Sequence, residues 1–213
     1  MNRTELRALF RSLIDDQGIN ENIFSDPRSN IFLYEGALRV QDMIENLDEG
    51  YLLSEMSFIV GGDAVSIGTI DNLNRVISVT ITGDSQNREI EPINIGEFAR
   101  YRYLYGENNC RNRPAYAVKN NELKYYAPYG EQHTVNVVYT QTLADLEDDT
   151  ESWSLPSQAH RLIAYEAALI GVVSEDGDFR GLERLVSDRR MSVTKLLENR
   201  AGNKPDYIEY AGD

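Results

Sequence analysis

Residues able to do chemistry are few in this chain, and they lie far apart. Asp145, Glu147, Asp148, Asp149 and Glu151 crowd into the stretch DLEDDTE, a run of oxygen ligands that could hold a Ca²⁺ or Mg²⁺ ion. Calcium loops space such ligands around a central glycine, which is absent here, so the run reads as a solvated loop. His133 and His160 have no Cys or His at metal-ligand spacing and read as structural or solvent-facing. Cys110 is the single cysteine, which excludes an intramolecular disulfide and fits a reducing compartment. Apart from neighbouring Arg111 and Arg113, nothing points to a lowered thiol pKa. Gly61-Gly62-Asp63 lacks both the GxxxxGK spacing and the helix that presents amides to a phosphate, so it reads as a turn. No Gly-x-Ser-x-Gly elbow occurs. The sequence therefore predicts no catalytic residue, no metal site and no cofactor.

Charge narrows the partners. Thirty-five Asp and Glu against 21 Lys and Arg leave a net charge of −14 over 213 residues. That balance disfavours gripping nucleic acid through a basic patch, and it disfavours an anionic membrane surface. Tyr101 and Tyr105 beside Arg100 and Arg102 could stack on bases, but with this charge they read as packing against a sheet. No apolar run approaches a membrane span and no signal-peptide core is visible, so a soluble cytosolic product is expected.

The element that positions most of the rest is the stretch from Arg113 to Tyr139. Lys119-Asn120-Asn121-Glu122 predicts a two-residue hairpin, since Asn tolerates the positive φ of primed turns. Its register sets Val118 opposite Leu123 and Tyr116 opposite Tyr125 on an apolar face, with Ala117 and Lys124 on the other. Pro128 ends the second strand, and Thr134 to Tyr139 predicts a third strand of the meander, alternating through Val135, Val137 and Tyr139. Before the hairpin, Ile77, Val79 and Ile81 alternate in a strand. Weaker strands are expected at Ser57 to Val60 and Val65 to Ile67. Asn94 with Glu97 makes a capping box that opens a short helix through Tyr105, with Phe98, Tyr101 and Tyr105 on one side.

Helices are expected at both ends. Leu6, Leu9, Phe10, Leu13 and Ile14 predict a helix over Thr4 to Gln17, stopped by Gly18. Arg3, Arg7 and Arg11 on its other face read as solvated or, failing that, as touching an acidic neighbouring subunit. Ser25-Asp26-Pro27 starts a second helix, Pro27 to Leu47, with Ile31, Tyr34, Leu38 and Ile44 as its core face and Leu33, Ala37 and Leu47 alongside. Leu155-Pro156-Ser157 starts a third, buried through Leu162, Ile163, Ala167 and Ile170, while Ala164, Ala168 and Gly171 permit close helix approach. A fourth carries Leu182, Leu185, Val186, Arg189, Val193, Leu196 and Leu197, and pairs with the third as an αα-hairpin.

The expected fold class is α+β, a helical bundle from both chain ends with an inserted, mostly antiparallel β-sheet domain. Residues 1–51 supply the N-terminal helices, 52–142 the β domain, 143–200 the C-terminal hairpin and 201–213 a tail. Within that tail Pro205 precedes Tyr207, Ile208 and Tyr210, three large groups that can order themselves on a partner, or form a chain end without a role.

The order of these elements carries a resemblance. The capped short helix is followed by the Arg113-Pro114-x-Tyr116-Ala117 strand, a two-residue turn, a strand ending in Tyr126-Ala127-Pro128, a Val-rich strand, an acidic loop and two helices. From Phe24 to Arg200 this resembles the head-to-tail adaptor proteins of tailed bacteriophages, the group of tail tubular A proteins. The resemblance implies a non-enzymatic structural virion protein at the head-tail junction, assembled in the host cytoplasm. Twelve subunits would form a ring under the portal protein after DNA packaging, as a platform for tail or nozzle proteins, and DNA would pass through without specific binding. The helices from Pro156 to Asn199 would form the ring body, with the sheet domain at its periphery. The tail, through Lys204, Pro205, Tyr207, Ile208 and Tyr210, would dock on the portal. An acidic lumen would repel phosphates and let a duplex slide. Other readings are another ring-forming tail-completion or terminator protein or, in a different class, a soluble ligand-binding protein or enzyme using the β domain.

Overall fold

The computed structural model describes residues 1–15, 24–47, 52–61, 68–82, 88–98, 100, 114–126, 133–175, 177 and 179–201. Helices lie at both ends and strands between them, the α+β class that the sequence indicates. The chain divides into a helical unit, Met1–Tyr51 with Leu143–Asp213, and a β unit, Leu52–Thr142.

In the helical unit, α1 (Arg3–Asp15) buries Leu6, Phe10, Leu13 and Ile14 at the predicted spacing. Helix α2 (Asp26–Leu47) begins at the Ser25-Asp26-Pro27 signal, but its buried face differs from the expected one. Leu33, Gly36, Ala37, Val40, Gln41 and Ile44 face inward, Tyr34 and Leu38 are half-buried, and Ile31 and Leu47 are exposed. The reason is the small pair Gly36-Ala37, which lets α2 lie against α3 (Ser157–Ser174) almost backbone to backbone. A Cβ on Gly36 would stand 2.7 Å from the Ile163 carbonyl oxygen and 3.0 Å from the Ala167 nitrogen. Closeness of that seam selects the face, whatever the size of the flanking apolar side chains.

Helix α3 is the centre of the unit and packs against α1, α2 and α4 (Arg180–Ala201). Its alanines and Gly171 are buried on several sides, while Ile170 is only half-buried. Phe10, Phe24 and Phe32 cluster at ring centroid separations of 5.5 to 6.2 Å, with Phe10 and Phe24 against Gly171. Helix α4 buries Leu182, Val186, Val193 and Leu197, whereas Leu185 and Leu196, expected in that stripe, face solvent. A narrow stripe suffices because α4 packs mainly on α3.

The β unit holds β1 (Leu53–Val60), β2 (Gly68–Thr69), β3 (Leu73–Thr82), β4 (Arg88–Glu89), β5 (Glu91–Pro92), β6 (Ala115–Lys119), β7 (Glu122–Tyr126) and β8 (His133–Gln141). They form two four-stranded sheets, ordered β1-β8-β3-β4 and β2-β7-β6-β5. All pairings are antiparallel except the short β5–β6 contact. The β6–β7 hairpin has the predicted register, with Asn120 at φ 51° and Asn121 at φ 63° as a primed turn demands. Its second face is covered as well, since Ala117 and Tyr126 pack with Phe98 from the helical turn at residues 95–98. Asn94 caps that turn through its Oδ1, which accepts from the Gly96 N–H at 2.8 Å. The predicted continuation to Tyr105, the Gly62-Asp63 part of the predicted turn, the Val65–Ile67 strand and Pro128 lie outside the described residues.

The predicted meander does not form. Strand β8 leaves the hairpin's sheet and inserts between β1 and β3 of the other, with Val135 and Val137 opposite Ile81 and Val79. Alternation fixes which side chains point inward but not which strand is the neighbour. Val79, Ile81, Val135, Val137 and Tyr139 of one sheet share a core with Tyr116, Leu123 and Tyr125 of the other, so the unit is two packed layers.

Gly36→Ala tests the seam. Helix propensity favours Ala by about 1 kcal/mol, but the obstructing atoms are backbone that cannot rotate away, and overpacking costs about 1–3 kcal/mol. A net loss of stability in urea denaturation is expected; an unchanged or raised midpoint would show that the helices can separate freely.

Candidate interaction surface

The acidic run is not a free loop. The Leu143 N–H donates to Gln41 Oε1 at 2.9 Å, and the Leu143 carbonyl accepts from the Tyr34 hydroxyl at 3.0 Å. Trp153 Nε1 donates to the Ala144 carbonyl at 2.9 Å. Residues 143–153 are thus strapped to the helical unit, and α1 closes over the acidic part. Arg3 reaches Asp145 at 3.2 Å, Arg7 reaches Asp149 at 2.5 Å and Asp26 at 3.1 Å, and Arg11 reaches Asp26 at 2.5 Å. The N–H groups of Arg3 and Thr4, unpaired at a helix start, donate to the carbonyls of Glu151 and Asp149. For Arg3 and Arg7 both sequence readings are therefore corrected. Arg3 and Arg7 are 7% and 8% exposed, and their counter-charges belong to the same chain.

Within the strap, Glu151 Oε2 accepts from the N–H groups of Glu147 and Asp148. Asp145, Glu147, Asp148 and Asp149 keep exposed side chains, and among the described residues no group of His, Cys, Asp or Glu is placed to hold a metal ion. Asp26 has its pKa lowered, first by the hydrogen bond from Arg11 and then by the charge of Arg7. Favourable anionic charge also sits at the start of α2, where Asp26 lies in the first turn.

The two histidines are both buried and paired. His133 Nε2 lies 2.8 Å from the Tyr125 hydroxyl inside the β unit. His160 Nδ1 lies 2.7 Å from the Met1 amino group and Nε2 is 3.1 Å from the Trp153 carbonyl, so the ring fastens the chain start and the strap to α3. Burial, and next the positive amino group, lower the His160 pKa, against a smaller raising effect of the Trp153 and Leu155 carbonyls.

Glu166, which sequence reasoning passed over, is a fully buried carboxylate in the middle of α3. Arg190 of α4 holds it with two bonds, Nε to Oε1 at 2.5 Å and a terminal nitrogen to Oε2 at 2.7 Å, and Arg39 of α2 stands 3.9 Å away. This fork raises the Arg190 pKa further. The signal was available: one glutamate interrupts an otherwise apolar turn, AYEAALIGVV, and a buried charge needs a partner.

With Arg190 fixed, α4 turns a mixed face outward. Leu185, Met191 and Leu196 are 45%, 53% and 46% exposed, among exposed Arg184, Arg189 and Lys195. The helix carries six cations against Glu183, Asp188 and Glu198, a basic element in an acidic chain. Exposed apolar groups on a helix with a surplus of cations suit an acidic protein surface better than a small-molecule reaction. The predicted docking residues Lys204, Pro205, Tyr207, Ile208 and Tyr210, which follow α4 in sequence, lie outside the described residues. No protein-family model and no curated protein matches the chain.

Two outcomes are expected from substitution. Arg190→Met strands the buried Glu166 carboxylate and costs about 3 kcal/mol, whereas Glu166→Gln leaves a half-exposed arginine that water can solvate and costs about 1 kcal/mol. Equal losses in denaturant unfolding would contradict the asymmetry. For His160, a depressed folded pKa means that the unfolded chain takes up the proton first. Its contribution is full above the ordinary value of 6.5 and is lost as the pH falls below it. The stability difference between wild type and His160→Gln should shrink from about pH 7.5 to about pH 5.5. A constant difference would refute that assignment.

Proposed function

We propose that the chain is a subunit of a head-to-tail adaptor ring, docking under a phage portal and carrying tail or nozzle proteins, with a channel left for DNA. The observation that carries this reading is the discontinuous helical unit, built from both chain ends around an inserted β unit. It matches the division between ring body and peripheral sheet domain that the resemblance implies. Helix α4 adds support. Its outward face combines exposed leucines with cations, as a contact between acidic subunits or with a partner requires, and it runs directly into the tail assigned to the portal. The net charge of −14 is consistent with a lumen that repels phosphates.

The test is light scattering of the full chain and of a chain truncated after Gly202, each alone and mixed with the portal of the same virus. A ring-sized complex on portal addition, weakened by truncation, supports both the adaptor role and the tail's part in it. A full chain that ignores the portal contradicts the role, and truncation without effect removes the tail from it.

A further inference from the structure

Strand β1 ends its sheet, and among the described residues no strand pairs with its outer edge. Such an edge offers a row of unpaired N–H and C=O groups, which proteins ordinarily protect with lysine, proline, a bulge or brevity. Here none of these protections operates. The strand is eight residues long, LSEMSFIV, and its register with β8 runs unbroken from Leu53 opposite Thr140 to Val60 opposite His133. Leu53, Met56 and Ile59 are 42%, 37% and 72% exposed. The other terminal strands, β4, β2 and β5, have two residues each, and β5 contains Pro92. Among the terminal strands of the described residues, only β1 of a second copy can match β1 in length.

Self-pairing must also keep the faces in phase. Ser54, Met56, Phe58 and Val60 stand opposite the core-facing β8 positions, and Leu53, Glu55, Ser57 and Ile59 lie on the outer face. An antiparallel two-fold pair keeps the outer faces together only if odd residues meet odd ones. Centring on Glu55 sets two carboxylates side by side, and centring on Ser57 sets Glu55 beside Ile59. Centring on Met56 sets Leu53 beside Ile59 twice and Glu55 beside Ser57, the best set of cross-strand neighbours.

We propose that two copies of this chain pair through β1, antiparallel and with the two-fold axis at Met56, joining their four-stranded sheets into one of eight. The inference goes beyond the adaptor reading and stands without it. A two-fold contact closes on itself and cannot propagate a ring, so it describes the protein free of the portal.

The test uses the full chain carrying Cys110→Ser, by light scattering and by mild oxidation of single-cysteine variants. The expected mass is twice the 24.2 kDa of one chain. Directly opposed residues have Cα atoms about 4.5–5.5 Å apart, within disulfide reach, so Met56→Cys cross-links to its own copy. Ser54→Cys faces Phe58 of the other copy, and its own counterpart is about 13 Å away, so it does not. Ile59→Lys, at an already exposed position, leaves the circular dichroism unchanged and abolishes both the doubled mass and the Met56→Cys cross-link. A single-chain mass for the unsubstituted edge overturns the proposal, also where β1 then proves to accept a strand from a portal or tail protein. Cross-linking of Ser54→Cys as readily as Met56→Cys overturns the register, and a dimer that survives Ile59→Lys overturns the surface.

Discussion

The close contact of α2 with α3 at Gly36 is the constraint on which the helical unit depends. It joins two stretches of chain separated by the whole β unit, so the bundle can exist only when both ends of the chain meet. Closing a loop of that length costs about 4 kcal/mol. Burying Leu33, Val40 and Ile44 along the seam returns about 2 kcal/mol each, so the contact can hold against the insertion. The remaining attachments follow from it. Tyr34 and Gln41 of α2 take the backbone of Leu143 where the chain rejoins the unit, and Arg3 and Arg7 of α1 then close on the strap.

Charge is arranged in two ways within this acidic chain. Around α1, cations meet carboxylates of the same chain, which uses up Arg3, Arg7 and Arg11 internally. On α4 Arg190 is spent on a buried carboxylate, while Arg184, Arg189 and Lys195 remain at the surface beside exposed leucine side chains. The first arrangement fastens the fold, and the second leaves cations and apolar groups at the surface. A separation of this kind suits an assembly subunit, whose stability must be settled before its surfaces are occupied.

Much of the local structure was legible in the sequence because it is locally determined. The Asn120-Asn121 turn, the register of its hairpin, the start of α2 at Asp26, the cap at Asn94 and the apolar stripe of α1 each depend on residues within a few positions. What failed was non-local. The inward face of α2 was set by a glycine that meets α3, the neighbour of β8 by a second sheet, and the role of the α1 arginines by carboxylates more than a hundred residues away. Periodicity carries no record of such partners. Glu166 is the exception, since a lone carboxylate in an apolar helix announces a distant cation without naming it. The predicted docking tail lies outside the described residues.

The central claim is the proposed adaptor subunit, with the helical unit proposed as the ring wall. Electron cryo-microscopy of the full chain mixed with the portal of the same virus tests that claim most directly. The account predicts a closed ring on the portal, helical units lining the channel and acidic side chains outnumbering basic ones on its inner surface. A ring lined by the β units, a basic lumen, or bare portals beside free protein would contradict it.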